Sequence, residues 1–314
     1  TPVSAFIPGL TDARCLGPDA AGIVQTAPCA VPTLHHLLTH TSGLSYPFNP
    51  GVLSAAMGEQ RLVFGPGKRV LADEVDQVAA LPLAFAPGQR WEYSVGIDVI
   101  GRVIEVASGK SLEAFLVDEI LGPLGMEDTR FAVPEGARDR FAALYTPLAG
   151  DSFDLISSET GSDTHRLDDA PETSPYLSTQ MHSGGGGLVG TIDDYMAFAE
   201  ALRSGGAGLV SASTLAFMMR NHLPGDIASM GPSSFAELPM DGMGFGIGGA
   251  MVLDPALARC QGSVGDFGWG GMASTFFWID RVQDLSVVFF TQLSPSSSYP
   301  NRPQLKALVH GALT

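Results

Sequence analysis

Two apolar runs near the end of the chain constrain the fold most strongly. Residues 273–279 and 285–292 are rich in aromatic and β-branched side chains, and the connection over residues 280–284 is short and polar. Runs of this composition on either side of a short turn are typical of an antiparallel β-hairpin. Residues 244–253 predict a third strand. The last third of the chain therefore predicts an antiparallel sheet, followed by a helix that begins near Arg302.

Helical patterns dominate the first half of the chain. Over residues 96–108, Ile97, Ile100 and Ile104 recur at the spacing of one helix face, and Gly109 follows where a glycine cap belongs. Side chains that favour the N-cap position predict three further helix starts, at Thr33, Ser111 and Thr191.

The order of these elements predicts an α+β fold and not a doubly wound one. We expect a mainly helical region over residues 1–180 and a region of antiparallel sheet with a C-terminal helix over residues 181–314. The two are expected to form one catalytic unit with a cleft between them. Residues 132–180 have weak periodicity and many turn-forming residues, so we expect a long irregular excursion there.

Composition and charge exclude several classes of protein. Apolar residues make up 45% of the chain and charged residues 16%, which argues against disorder. The formal net charge of −16 repels nucleic acid and anionic membranes, so neither is expected as a partner. We find no apolar run of membrane-spanning length.

The cysteines give no framework from which to build a fold. Cys15, Cys29 and Cys260 are odd in number and contain no C-x-x-C pair, so a zinc signature is absent. Cys15 and Cys29 could pair, but their spacing does not require it. We favour three reduced thiols in a cytoplasmic protein.

The familiar nucleophile motifs of serine hydrolases are absent from these 314 residues. No segment matches G-x-S-x-G. In S-x-x-K, a lysine stands one helical turn after the serine, on the same helix face. The only lysines are Lys68, Lys110 and Lys306, and none has a serine three residues earlier.

Two other motifs favour structural roles. His36 and His40 stand four residues apart, as in a zinc helix, but lack the accompanying glutamate and a third ligand. The glycine run over residues 184–187 precedes a helix but lacks the Lys-Ser/Thr of a phosphate loop, so close backbone packing is the better interpretation. We therefore predict no metal and no cofactor.

Several segments, taken in order, carry a family resemblance. They are residues 36–44 (HLLTHTSGL), 87–94 (PGQRWEYS), 185–195 (GGGLVGTIDDY), 268–271 (GWGG) and 277–280 (FWID). Together they resemble the β-lactamase-related serine hydrolases, and the branch most resembled is the family VIII carboxylesterases. Class C β-lactamases and penicillin-binding proteins are more distant. The resemblance covers nearly the whole chain and implies a β-lactamase/transpeptidase-like fold.

The resemblance implies a role for Tyr93 and for Met272. Tyr93 matches the tyrosine that acts as general base together with a lysine, taking the serine proton and returning it to the leaving alcohol. A phenol, with a pKa near 10, becomes a base only beside a cation that favours phenolate. The backbone N–H of Met272 matches one oxyanion donor, the other being the N–H of the nucleophilic serine.

The resemblance also implies a substrate-binding surface. Trp269, Gly270 and Gly271 match the Lys-Thr-Gly strand edge of β-lactam-binding relatives, and Ser94 and Val95 lie in the tyrosine motif. Trp269 replaces a lysine that helps to hold the substrate's carboxylate, and Val95 replaces a polar residue that contacts the acyl amide. Both changes favour uncharged, partly apolar esters over β-lactams.

The implied function is carboxylic-ester hydrolysis through a serine acyl-enzyme, acting on short or medium acyl esters as small-molecule substrates. The family's nucleophile lies upstream of residues 36–44, so we expect its serine and lysine on a segment that precedes this chain. The second explanation is a separate N-terminal fragment that completes the fold. The third is that the protein has lost the serine and lysine. Ser42 is a poor substitute because it has no lysine partner. The alternatives are an acyltransferase or β-lactamase of the same fold, and a catalytically dead protein that binds acyl compounds.

Overall fold

The computed structural model describes residues 1–18, 24–147, 165–235, 238–296 and 298–313. The chain forms two compact units. The first contains Thr1–Glu119, Arg130–Ala132 and Ser178–Val189, and the second contains the rest of the chain. The functional division at residue 180 stays a prediction. No helix in the described ranges is long and apolar enough to cross a membrane.

The first unit is mainly helical, with one hairpin. Its strands and α-helices are β1 (Arg14–Pro18), β2 (Val24–Pro28), α1 (Leu34–Leu38), α2 (Val52–Glu59), α3 (Leu71–Ala79), α4 (Gly96–Ser108) and α5 (Leu112–Leu116). Two 3-10 turns, Val3–Ala5 and Pro8–Leu10, precede β1. A π-helical turn, Val117–Leu121, follows α5 and contains the boundary between the first unit and the second. The predicted caps are confirmed, because the Thr33 and Ser111 side chains accept backbone N–H bonds at the starts of α1 and α5.

Helix α4 ends as predicted, and its isoleucine face is partly buried. Gly109 caps it in the left-handed conformation at φ 71°. The fully buried positions include Asp98, Val99 and Val103, whereas Ile100 and Ile104 are only partly buried against the core. Ile100 and Ile104 of the predicted face therefore pack against the core, and Val99 and Val103 are buried more deeply.

The β1–β2 hairpin corrects the prediction of three reduced cysteines. Antiparallel pairing places Cys15 opposite Ala27, and Cys29 lies just beyond the end of β2. The two cysteine Cα atoms are 5.8 Å apart, and their sulfurs form a disulfide. Cys260 remains a free thiol. The prediction failed because spacing along the chain does not reveal which residues a hairpin brings together.

The second unit contains the sheet. Its strands and α-helices are β3 (Leu144–Thr146), β4 (Arg166–Asp169), α6 (Ile192–Arg203), α7 (Ala212–Met218), β5 (Ser234–Phe235), β6 (Leu238–Pro239), β7 (Met243–Phe245), β8 (Ala250–Val252), β9 (Phe267–Gly270), β10 (Phe276–Asp280), β11 (Leu285–Phe289) and α8 (Asn301–Ala312). It also has 3-10 turns over Glu135–Arg140 and Pro175–Leu177. A five-stranded sheet has the order β11-β10-β9-β8-β7, and every pair is antiparallel.

The predicted C-terminal hairpin is confirmed as β10 and β11, and helix α8 begins one residue before Arg302. The predicted third strand is two strands, β7 and β8. They are joined by a turn in which the Gly246 N–H donates to the Gly249 carbonyl at 2.8 Å, with Gly248 at φ 86°. Glycines that looked like strand interior therefore form a reversal.

Alternating side chains of β10 face opposite sides of the sheet. Phe277 and Ile279 pack into an apolar cluster with Ala199 of α6. On the other side, the Arg302 guanidinium of α8 lies 5.9 Å from the centre of the Phe276 ring. Helices thus contact both faces of an antiparallel sheet, which confirms the α+β prediction. Of the predicted excursion over 132–180, residues 148–164 lie outside the described residues.

Candidate active site

Tyr93 lies in an irregular segment shortly before α4 and is half-buried. The Asn49 side-chain amide donates to the Tyr93 carbonyl at 2.8 Å. The neighbouring Glu92 N–H donates to the His40 carbonyl at 2.9 Å. Both sides of the Tyr93 backbone are therefore fixed, which limits where its ring can point.

The ring of His40 supports Tyr93 from one side. The two ring centres are 4.8 Å apart, and His40 Nδ1 accepts the Ser94 backbone N–H at 3.2 Å. Complete burial lowers the pKa of His40 to about 3, so this imidazole is neutral. His36 has a separate task, since its Nδ1 accepts the Thr33 N–H in a capping box. These contacts support the structural interpretation of the histidine pair.

Tyr46 and Asp98 connect to Tyr93 and were not singled out from the sequence. The rings of Tyr46 and Tyr93 are 5.1 Å apart, and their hydroxyls hydrogen-bond. The Tyr46 hydroxyl also lies 3.1 Å from Asp98 Oδ2, to which it donates. The only sequence signal for Asp98 is its position, five residues after Tyr93 and in the first turn of a helix.

Asp98 is wholly buried and receives three hydrogen bonds. Besides Tyr46, the Ser183 hydroxyl donates to Oδ1 at 2.5 Å and the Gly185 N–H donates to it at 3.1 Å. Burial raises the pKa of this carboxyl to about 6, and the three hydrogen bonds oppose the rise. Burial and the Asp98 charge also raise the pKa of Tyr46 well above its usual value.

Two glycines of the run over residues 184–187 are required by this arrangement. A Cβ on Gly185 would stand 2.6 Å from Asp98 Oδ2 and 2.8 Å from the Tyr46 hydroxyl. A Cβ on Gly184 would stand 2.5 Å from the Ile97 carbonyl oxygen. The predicted role in close backbone packing is confirmed at these two positions.

Asp98→Asn is expected to change the pH dependence of stability. The folded pKa, about 6, exceeds the usual 3.8, so the contribution of Asp98 to stability is complete below pH 3.8 and is lost as pH rises through 6. The loss approaches about 3 kcal/mol at neutral pH. Asparagine cannot ionise. The free energy of unfolding of the Asp98→Asn variant, measured relative to wild type in urea titrations, should therefore rise between pH 4.5 and 7.5. Asp76→Asn, on an exposed position of α3, controls for the change of side chain. A constant difference across that range would contradict the assignment.

The second group of predicted residues lies on β9 and the turn after it. Trp269 packs against Phe235 and Phe245, with ring centres 5.7 and 5.3 Å apart. The Arg302 guanidinium packs over Gly270 and occupies the space that a Cβ there would need. The substrate-binding role of residues 269–271 stays a prediction.

The turn leaves the Met272 N–H available. The Gly271 N–H donates to the Thr275 carbonyl at 2.7 Å and the Ser274 N–H to the Gly271 carbonyl at 3.2 Å, but within the described ranges no hydrogen bond involves the Met272 N–H. The Met272 side chain is 38% exposed. A free amide beside an exposed side chain is the arrangement that an oxyanion donor needs.

Three other serine and valine positions are buried. Ser94 and Val95 have almost no exposed surface, and Ser94 Oγ lies 3.2 Å from His40 Nδ1. Their predicted contact with substrate is not tested by this geometry. Ser42 is also buried, and its Oγ accepts the Leu44 N–H at 3.3 Å, as expected of a structural serine.

One cluster in the second unit has metal-ligand chemistry. Ligand atoms of Asp266, Asp280 and His310 lie within 4.8 Å of one another. The Lys306 ammonium is 2.8 Å from Asp266, and Asp280 accepts backbone N–H bonds from Ser263, Val282 and Gln283. Lysine thus supplies the positive charge that a cation would bring, so the cluster is better explained as an ion pair that anchors α8.

Comparison with known proteins shows the family. The family described as Beta-lactamase matches residues 1–311. The chain belongs to this beta-lactamase family. Esterase EstB of Burkholderia gladioli is 35% identical over 269 residues, which cover 82% of this chain and 64% of EstB. The lovastatin esterase of Penicillium rubens is 28% identical over 81% of this chain and 62% of its own length. The chain thus spans just under two thirds of these two relatives.

Solved structures of known proteins superpose over nearly the whole chain. EstCE1, described as a hydrolase with promiscuous acyltransferase activity, matches with a TM-score of 0.75 and 28% identity over 99% of this chain and 77% of its own. Simvastatin synthase LovD from Aspergillus terreus matches with a TM-score of 0.76 and 25% identity over 97% of this chain and 74% of LovD. These matches confirm the predicted β-lactamase-like fold.

Proposed function

We propose that the protein containing this chain is a serine carboxylesterase. The observation that carries the proposal is the Tyr93 side chain, whose ring is held by His40 and whose hydroxyl bonds to Tyr46. A tyrosine held in this way can transfer a proton along a fixed direction. Support also comes from relatives named as esterases and hydrolases.

The proposed reaction has two acyl-transfer steps. A serine Oγ, on a segment upstream of this chain, attacks the ester carbonyl, and its proton passes to the Tyr93 oxygen while a neighbouring lysine stabilises phenolate. The Met272 N–H donates to the developing oxyanion. Collapse of the intermediate expels the alcohol, which takes the proton from Tyr93, and water then releases the acid by the same route. We propose uncharged short or medium acyl esters as substrates.

An active-site probe tests the proposal. The full-length protein is treated with a fluorophosphonate, and the labelled peptide is sequenced. We expect one labelled serine, within S-x-x-K and outside these 314 residues, together with hydrolysis of 4-nitrophenyl butyrate. Labelling of Ser42 or Ser94 would contradict the proposed nucleophile. If no serine is labelled and no ester is hydrolysed, the result favours the non-catalytic acyl-binding alternative.

Acyl transfer to an alcohol is the second candidate. Relatives include proteins named as methylbutanoyltransferases, and EstCE1 is described with promiscuous acyltransferase activity. An acyl-enzyme reacts with an alcohol as with water, so the site chemistry is shared. Product analysis in the presence of a competing alcohol separates the two. β-Lactam hydrolysis is disfavoured by tryptophan in place of lysine at position 269.

Trp269→Lys is expected to move selectivity toward substrates that bear a carboxylate. A lysine here would add a positive charge in place of an uncharged indole. We expect the ratio of kcat/KM for a carboxylate-bearing ester to that for its methyl-capped analogue to rise about tenfold, as an ion pair of about 1.4 kcal/mol would give. Trp269→Leu controls for loss of the ring. An unchanged ratio in the lysine variant would refute the assignment.

The predicted cytoplasmic location has lost its support. It depended on reduced thiols, and the Cys15–Cys29 disulfide is typical of oxidising compartments. We propose such a compartment. Alkylation of protein isolated without reductant should find Cys15 and Cys29 blocked, whereas free thiols at both positions would restore the cytoplasmic prediction.

A further inference from the structure

An open cavity of about 560 Å³ lies in the second unit, and none of its lining residues is among those predicted to take part in catalysis. Its lining residues are Tyr145, His165, Thr291, Gln292, Leu293 and Tyr299. The two tyrosines are 43% and 37% exposed. Large aromatic side chains that are exposed around a concave surface are characteristic of ligand sites.

A segment that lines the cavity is hydrogen-bonded to the turn that begins at Met272. Strand β3 lies beside the segment after β11, since the Tyr145 N–H donates to the Gln292 carbonyl at 3.0 Å. The same segment is hydrogen-bonded to the turn at Met272. The Leu293 N–H donates to the Ala273 carbonyl at 3.2 Å, and the Ser274 hydroxyl donates to the Leu293 carbonyl at 2.7 Å. One wall of the cavity is therefore hydrogen-bonded to the turn that contains the predicted oxyanion donor.

The lining selects for an uncharged group. None of the six residues is an acid, a lysine or an arginine. The two phenol rings offer flat apolar faces, and His165 Nε2 lies 3.1 Å from the Tyr299 hydroxyl, which restricts that ring. Thr291 and Gln292 add groups that can donate or accept hydrogen bonds. Planar rings with a polar substituent match this combination, because aromatic pairs gain from stacking as well as from burial.

We propose that this cavity binds an uncharged ring-bearing part of the ester substrate. The inference rests on the proposed esterase function, and it extends that function from simple acyl esters to esters with an aromatic or fused-ring group. The ring could belong to the acyl part or to the alcohol part, which share the same chemistry at this site.

Binding is tested without hydrolysis. The dissociation constants of 2-naphthol and 2-naphthamide are measured by ligand-observed NMR for the full-length protein, Tyr145→Leu and Tyr299→Leu. Phe217→Leu is the matched control, because Phe217 is an exposed aromatic residue on α7 outside the cavity. We expect each tyrosine variant to bind at least one probe about three- to tenfold more weakly, and the control to bind as wild type does. Unchanged binding in both tyrosine variants, or an equal loss in Phe217→Leu, would overturn the proposal.

Kinetics then assign the ring to one part of the ester. 2-Naphthyl acetate carries the ring in the alcohol, and ethyl 2-naphthoate carries it in the acyl group. The tyrosine variants should raise KM for one of these esters three- to tenfold, with little change in kcat, and leave ethyl butyrate unaffected. Equal effects on all three esters would overturn the proposal. Absence of any hydrolysis, with probe binding still weakened by the tyrosine variants, would reject the esterase function and leave the ring site supported.

Discussion

Tyr93→Phe is expected to lower kcat/KM for 4-nitrophenyl butyrate by a factor of about 10² to 10⁴ while the protein remains folded. The variant removes a single hydroxyl and keeps the ring that packs against His40 and Tyr46. A proton acceptor at this position cannot be replaced by phenylalanine, so kcat should fall and KM should change little. Steady-state kinetics and thermal unfolding of the full-length protein provide the measurement.

Tyr195→Phe is the matched control for this prediction. It removes the same atom from a tyrosine that packs in the apolar cluster of the second unit, where burial raises its pKa to about 12. Activity should be retained. If Tyr93→Phe kept wild-type kcat/KM, the base assignment would be wrong and the Tyr46–Asp98 network would be only structural.

Removing the Met272 N–H is expected to lower kcat by a factor of about 10² to 10³. The donor is a backbone group, so Met272→Pro should be strongly impaired, whereas Met272→Ala, which keeps the N–H, should be close to wild type. Because proline also restricts φ, a second variant carries the α-hydroxy acid analogue of methionine at this position and replaces only the amide.

The two variants separate oxyanion binding from damage to the turn. The Gly271–Thr275 hydrogen bond involves neither the Met272 N–H nor its side chain, so the turn should survive in the α-hydroxy acid variant. Full activity in that variant would show that another donor serves the oxyanion. Loss of activity in Met272→Ala equal to that in Met272→Pro would show that the side chain, and not the N–H, is required.

The accuracy of the sequence-based predictions followed the range of the interactions concerned. The hairpin of β10 and β11 and the caps of α1, α4 and α5 were predicted correctly. Each depends on residues close together in the chain. The strand over 244–253 was misjudged because a glycine that continues a strand and one that reverses it look alike until the partner strand is known.

Long-range contacts account for what was missed. Tyr46 and Asp98 are 52 residues apart, and Ser183 lies a further 85 residues along, so no local pattern joins them. The same holds for Cys15 and Cys29, which pair because a hairpin lies between them.

The sequence by itself determined the α+β class, the family and the position of Tyr93, because ordered motifs and helix caps are local and survive without coordinates. Only the tertiary structure decided that Tyr93 is bonded through Tyr46 to a buried Asp98 and that two exposed tyrosines line a cavity whose wall is bonded to the turn at Met272. It also decided that, among the described residues, no hydrogen bond involves the Met272 N–H. Those properties depend on burial and on which distant groups satisfy each donor and acceptor, and folding alone sets both.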